Sequence, residues 1–242
     1  MDETSTHSDT GRLLPQHQER LSRPSDLDGK PSIIEAVQLA RGYESVEARS
    51  RLTGLGFQPW QARVPTLLIP QWGVDGKPRD PMHRPDKPRK SGPKRLINGV
   101  LSRKVVKYEP IYGSTKSLDT NPLCVPQMGD PEIDLWLCEG SIKCDYLVSR
   151  GFCAINISGV WAWRGTNGFG GKTALSAFND VALNDRNVVI LFDSDLHFNR
   201  NVYGAMQELY GYLKDKQAKV KVVDWVKLLR IVAAKRQVLQ CQ

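Results

Sequence analysis

Three acidic residues, at two places in this 242-residue sequence, have the type and spacing to do chemistry. Asp193 and Asp195, separated by Ser194, directly follow the apolar run Val188 to Phe192. Glu139, with Gly140 after it, directly follows Leu135 to Cys138. A short continuous apolar run reads as a strand buried on both faces, as in a parallel sheet. Ligands of open α/β sheets bind just beyond the carboxyl ends of such strands. If the two strands are neighbours, three carboxylates converge on one edge. They repel one another there unless an oxygen-seeking cation such as Mg²⁺, or Mn²⁺ in its place, sits between them. Glu139, Asp193 and Asp195 are therefore the expected metal ligands and catalytic acids. Gly140 would let backbone come close to a bound phosphate at the strand-to-helix turn. The plainer alternative is that Asp193 or Asp195 caps the next segment and Glu139 faces solvent.

The elements that must position these residues can be read in chain order. Residues 1–30 are rich in Ser, Thr, Asp, Gln and His with little apolar periodicity, and are expected to be a disordered leader. Residues 31–125 read as a helical stretch, with two short helices between Pro31 and Gly54, followed by a basic β-rich subdomain. In that subdomain Thr66–Trp72 and Lys104–Tyr108 are strands, and five prolines from Pro78 to Pro93 prevent helix. From residue 132 to 225 the pattern becomes α/β. Strands are expected at Leu135–Cys138, Cys153–Ile157, Val188–Phe192 and Lys219–Val223, with helices at Ser141–Arg150, Thr173–Leu183 and Asn201–Lys216. Strands alternating with helices imply a mostly parallel sheet flanked by helices. Residues 226–242 form a basic, apolar tail.

Charge sharpens the reading. The net charge is +8, yet the segment from Lys77 to Lys107 alone holds eleven Lys and Arg against Asp80 and Asp86. Such a concentrated patch is either a solvated basic loop or the electrostatic footprint of a nucleic-acid surface. The five cysteines include no Cys-x-x-Cys pair, which speaks against a zinc or disulfide framework. No apolar run approaches the ~18 residues of a membrane helix, and the polar, acidic N-terminus is unlike a signal peptide, so a cytoplasmic location is expected.

Taken together, Leu135–Gly140, Gly151–Gly159 and Val188–Asp195 resemble a Toprim domain, the metal-binding fold of DnaG-type primases, topoisomerases and some nucleases. The resemblance is closest to the Toprim-like domain of unknown function of phage and plasmid proteins, often found beside helicase modules. Its pattern appears here as Glu139-Gly140, Lys143, Gly159-Val-Trp161-Ala-Trp163 and Asp193-Ser-Asp195. Upstream, Leu67 to Pro70, Asp75-Gly76, Arg84 to Asp86 and Lys107 to Glu109 resemble the basic subdomain that precedes Toprim in primase-like proteins. The resemblance implies Mg²⁺-dependent nucleotidyl transfer, with single-stranded nucleic acid, nucleoside triphosphates and a helicase as partners. It implies nucleic-acid contacts from Arg84 and Lys107, with Arg89 and Lys104 of the same basic segment beside them. Lys143 is of a type to bind phosphate directly, and Lys172, on a glycine loop expected over the metal site, is a further candidate phosphate contact. Two departures stand out. DnaG-type primases carry Asp four residues after the Glu, where this chain has Lys143, and the acidic motif expected after the last strand is replaced by Asp224-Trp225 and the basic tail.

Other readings compete. A non-catalytic nucleic-acid-binding or partner-docking remnant of the fold is the main alternative, and a Toprim nuclease is the third. Gly168-Phe-Gly-Gly-Lys172-Thr173 lacks the first glycine of a phosphate-binding P-loop, since Thr166 stands there. Asp193-Ser-Asp195 also matches the nucleophile motif of haloacid-dehalogenase-type phosphatases, but only 49 residues follow Asp193. Trp161 and Trp163 are of a type that stacks on bases, although anchoring their loop is the favoured role.

Overall fold

The computed structural model describes residues 13–25, 29–97, 100–192 and 199–223. The chain opens with helices α1 (Pro15–Ser22) and α2 (Glu35–Arg41), strand β1 (Glu44–Val46) and helix α3 (Arg49–Gly54). Helix α1 falls inside the stretch expected to be a disordered leader. His17 and Leu21, four residues apart, lie on one buried face of it, and Leu21 packs with Ile33, Val37 and Leu67. A helix this short gains its order from that packing rather than from propensity.

Four strands follow: β2 (Thr66–Trp72), β3 (Pro78–Pro85), β4 (Arg89–Ile97) and β5 (Val100–Val106), and then the short β6 (Glu109–Pro110). Strands β1, β2, β3 and β6 form an antiparallel sheet, while β4 and β5 pair as a separate hairpin that carries six of the eleven basic residues between Lys77 and Lys107. Two of the prolines fall at ladder irregularities. Pro70 sits at the break in the β2–β3 register, and Pro93 sits between Ser91 and Arg95, where the β4–β5 register shifts. A missing backbone donor is tolerated at such places.

The rest of the chain comprises β7 (Asp119–Thr120), β8 (Leu135–Cys138), α4 (Ser141–Val148), β9 (Cys153–Asn156), β10 (Arg164–Thr166), β11 (Lys172–Ala174), β12 (Asn187–Leu191), α5 (Arg200–Asp215) and β13 (Lys219–Val223). Its main sheet has the order β13-β12-β8-β9-β7. All neighbours are parallel except β7, which runs antiparallel on the edge. The chain is thus a mixed α/β protein with a mostly parallel sheet, as expected.

The period-2 alternation of the strands feeds two separate cores. Leu135, Leu137, Ile155, Val188 and Ile190 face Val202, Leu209 and Leu213 of α5. Trp136, Cys138, Ala154, Val189 and Leu191 face Cys144 and Leu147 of α4. The central strands β8, β9 and β12 are therefore apolar on both faces, apart from Asn156 at the end of β9 and Asn187 at the start of β12. Cys124, Cys138, Cys144 and Cys153 are buried free thiols.

The helix expected over Thr173–Leu183 does not form. That stretch is β11 followed by a 3₁₀ turn, Ser176–Asp180. Leu175, Phe178 and Val181 recur every three residues, a spacing that suits the three-residue turn of a 3₁₀ helix. Among the described residues no helix is long and apolar enough to cross a membrane.

Candidate functional site: a basic cleft at the sheet edge

The register of the central strands decides where the site lies. Leu191, the last residue of β12, is paired with Cys138, the last residue of β8. Glu139 therefore leaves the sheet at the edge where β12 ends. Asp193 and Asp195 follow Leu191 by two and four residues in sequence. They lie outside the described residues, as does the tail from residue 224. Among the described residues no group of three or more His, Cys, Asp or Glu side chains is arranged to hold a metal. Glu139 is the one described member of the expected set.

Over this edge stands the β4–β5 hairpin, and between them opens a cleft of about 830 Å³. One wall is Glu139, Gly140, Ser141, Ile142 and Lys143 with Asn156 and Ser158. The other is Ser91 to Pro93 and Lys104 to Tyr108. The fold thus brings together five of the expected site residues: Glu139, Gly140, Lys143, Lys104 and Lys107. Three lysines around a single described carboxylate favour an anionic ligand, phosphate above all.

The remaining candidates are placed elsewhere. Arg84 stacks on Tyr108, 4.9 Å from the ring centroid, and donates a hydrogen bond to its hydroxyl, so it buttresses a cleft residue without lining the cleft. Arg89 is ion-paired to the buried Glu109 at 2.8 Å and lies over Trp60. Lys172 belongs to the β10–β11 hairpin, donates to Thr166 Oγ1 at 2.6 Å and does not line the cleft. Trp161 and Trp163 take the anchoring role. Trp163 is buried against Tyr212, while Trp161 lies under the Arg164 guanidinium and donates to Asn201.

The Glu139–Gly140 turn is held from beneath by a polar network absent from the sequence reading. Asn156 Oδ1 accepts the Gly140 and Ser158 backbone N–H groups, each at 2.7 Å. Its Nδ2 donates to Ser141 Oγ at 3.0 Å and to Asp119 at 3.1 Å. Asp119 also accepts the Trp72 amide and one arm of Arg41, at 3.0 and 2.5 Å. Arg41 grips Asp145 of α4 with its other two nitrogens, at 3.0 and 2.6 Å. Tyr43 and Asn121 complete the Asp145 shell at 2.7 and 3.1 Å. Arg41, Asp119, Asp145, Asn121 and Asn156 are all fully buried.

Burial by itself would lower the Arg41 pKa. The charges of Asp119 and Asp145 outweigh it and hold the guanidinium well above its ordinary value. Burial pushes the Asp119 carboxyl up, as expected where two carboxylates share one cation that grips the other bidentately. The network ties the N-terminal layer (α2, β2) to the sheet (β7, β9) and to α4, directly beneath the cleft wall.

Gly140 has φ +100° and would meet no atom within 4 Å if given a Cβ. The demand for glycine is therefore conformational and not one of space. Gly140→Ala is expected to cost about 1–3 kcal/mol, measured by urea denaturation, and to displace Glu139 from the cleft wall.

Comparisons with known proteins follow the same lines. A family model described as a domain of unknown function, DUF3854, matches residues 127–230, somewhat less than half of the chain. No curated protein matches the sequence. Among solved structures, the Aquifex aeolicus primase (zinc-binding and RNA polymerase domains) superposes with a TM-score of 0.51 at 14% identity, covering 80% of this chain and 47% of that one. A structure of the DnaG catalytic core is more distant, with a TM-score of 0.48 at 12% identity, covering 86% of this chain and 63% of that one. This chain therefore spans about half the length of the Aquifex aeolicus chain. At such low identity the likeness is one of fold, and the fold shared is that of the mixed α/β region now described.

Proposed function

We propose that this chain is a Mg²⁺-dependent, primase-like nucleotidyltransferase module of a phage, plasmid or other mobile element, acting on single-stranded nucleic acid with nucleoside triphosphates. The observation that carries the reading is the cleft itself, in which Glu139 at the end of β8 faces the lysines of the basic hairpin. The fold shared with a structure described as a primase with an RNA polymerase domain supports the same assignment.

The chain's own residues divide the work. Lys104, Lys107 and Lys143 bind phosphate oxygens of the triphosphate and the template strand as point charges. Asn156 fixes the Gly140 amide and with it the orientation of Glu139. Glu139, Asp193 and Asp195 would hold the metal. The donor set fits the ion, because carboxylate oxygens are what Mg²⁺ selects and the register ends both strands on one edge. When bound, the metal would lower the pKa of the attacking 3′-hydroxyl and stabilise negative charge on the α-phosphate. Helicase partnership is part of the proposal through the resemblance alone.

A second reading, a non-catalytic nucleic-acid-binding remnant, is favoured by one observation. Lys143, at the position where the DnaG-type pattern has an acid, lines the cleft. Purified protein supplied with a single-stranded template, labelled nucleotides and Mg²⁺ or Mn²⁺ separates the readings. Incorporation supports the transferase, binding without turnover the remnant, and metal-dependent cleavage of the strand a nuclease.

Binding itself has an electrostatic signature. Replacing Lys104 and Lys107 together with Ala is expected to reduce the slope of log K against log salt by about 1.4 for a single strand. Equal slopes for variant and wild type would remove the hairpin from the interface.

A further inference from the structure

Two large aromatic side chains stand exposed beside the root of the basic hairpin. Trp60 is 48% exposed and Tyr112 is 70% exposed, and their rings meet edge to face at 5.8 Å. Arg89, the first residue of β4, lays its guanidinium 4.7 Å over the Trp60 ring. It is fixed there by Glu109, which is buried.

The backbone that carries the pair is braced. Gln61, only 2% exposed, donates from its Nε2 to the Pro110 carbonyl at 2.8 Å. Its Oε1 accepts the backbone N–H groups of Gln58 and Tyr112, each at 3.2 Å. One buried carboxamide thus ties the turn bearing Trp60 to the segment bearing Tyr112. Arg49 adds hydrogen bonds to the carbonyls of Pro59 and Ala62, on either side of that turn, at 3.1 and 2.9 Å. Solvent-exposed aromatic residues need no such bracing for stability. Holding two of them rigid lowers the entropy lost when a flat ligand stacks on them.

We infer that Trp60 and Tyr112, with Arg89 beside them, form a stacking platform for the unpaired bases of a single-stranded nucleic acid running along the basic hairpin. This rests on reading the hairpin as the nucleic-acid surface. Charge complementarity selects the occupant. The segment from Lys77 to Lys107 holds eleven basic residues against two acidic ones, so a polyanion is drawn to it. An aromatic pair next to a cationic track is how proteins hold single strands without reading their sequence. Arg89, already neutralised by Glu109, serves as a planar stacking partner more than as a phosphate contact.

The test is fluorescence anisotropy with a labelled 20-nucleotide oligothymidylate and, in parallel, an abasic strand of the same length, on the full chain. Wild type should bind the oligothymidylate more tightly than the abasic strand. Trp60→Ala and Tyr112→Ala should each weaken oligothymidylate binding roughly 5- to 100-fold, leave abasic binding unchanged and leave the salt slope unchanged. Trp60→Phe should recover most of the loss. Wild type that binds both strands equally, or variants that lose affinity for both strands alike, would overturn the platform. The wild-type comparison decides the matter even if an alanine variant fails to fold. Failure of the platform alone leaves nucleotide incorporation intact, whereas failure of the transferase reading abolishes incorporation and leaves the stacking result standing.

Discussion

Arg41→Ala is expected to destabilise the protein by about 3–5 kcal/mol, the range seen when one partner of a buried ion pair is removed. Arg41 is fully buried and serves Asp119 and Asp145 simultaneously. Its loss leaves two buried carboxylates with only the neutral donors of Tyr43, Asn121, Asn156 and the Trp72 amide. The same change unties α2 from α4 and from the edge strand β7. The urea midpoint should fall while the slope stays constant. A shift of less than about 1 kcal/mol would mean that water replaces the guanidinium and that the seam is not a dry, charged joint. The contrasting triple change Arg41→Met, Asp119→Leu, Asp145→Leu should be much milder than Arg41→Ala, because an apolar substitute for the whole cluster leaves no stranded charge.

Glu139→Gln is the second large effect, and it concerns activity. The substitution keeps shape and hydrogen-bonding reach but deletes the one described carboxylate in the cleft. Nucleotide incorporation should fall by about 100-fold or more, the usual scale for removing one electrostatic group from a reacting centre. The melting temperature should stay within a few degrees, since Glu139 is only partly buried and outside both apolar cores. Steady-state incorporation at saturating nucleotide checks the first point and calorimetric unfolding the second. Unchanged incorporation would show Glu139 to be a solvated surface residue, the plainer alternative open from the sequence.

The parts of this fold that could be read in the sequence are those where one physical rule dominates. Strands β8, β9 and β12 announce themselves as short apolar runs because they are buried on both faces, whereas β13 alternates Lys and Val, as suits its place at the edge of the sheet. Helix α5 announces itself through Val202, Ala205, Leu209 and Leu213, which repeat at helical spacing and are all buried. Helix α4 ends near Gly151, whose φ of +78° suits a helix stop. Strands β3 and β4, eight and nine residues long, carry no apolar run because Pro, Lys and Arg interrupt them. The other features without a local signal are very short or set by distant partners. Strands β1, β7, β10 and β11 have two or three residues each, too few for alternation to register.

The buried network escaped for the second reason. Asp145 stands 104 residues from Arg41 and 24 from Asn121, and nothing local distinguishes it from a solvated helix acid. Its one sequence signal is its place between the buried Cys144 and the buried Leu147 on α4. Of the candidate site, Glu139 and Gly140 follow from a strand end, Lys104 and Lys107 from charge clustering, and Lys143 from the family resemblance. Arg89 and Lys172 carry charge but are claimed by Glu109 and Thr166. Composition cannot show that a charge is already spoken for. Trp60 and Tyr112 give no local signal because they lie 52 residues apart in sequence and meet only through the fold.

We propose an acidic, metal-dependent nucleotide site at the shared end of β8 and β12. The measurement that tests it most directly is titration calorimetry of a nucleoside triphosphate into the full chain, with and without Mg²⁺, on wild type and on Asp193→Asn/Asp195→Asn. Wild type should bind in a manner that requires Mg²⁺, and binding should disappear in the double variant, with residual metal-independent binding through the cleft lysines at most. Mg²⁺-independent binding of equal strength in both proteins would contradict it, leaving a basic cleft that holds phosphates by charge alone.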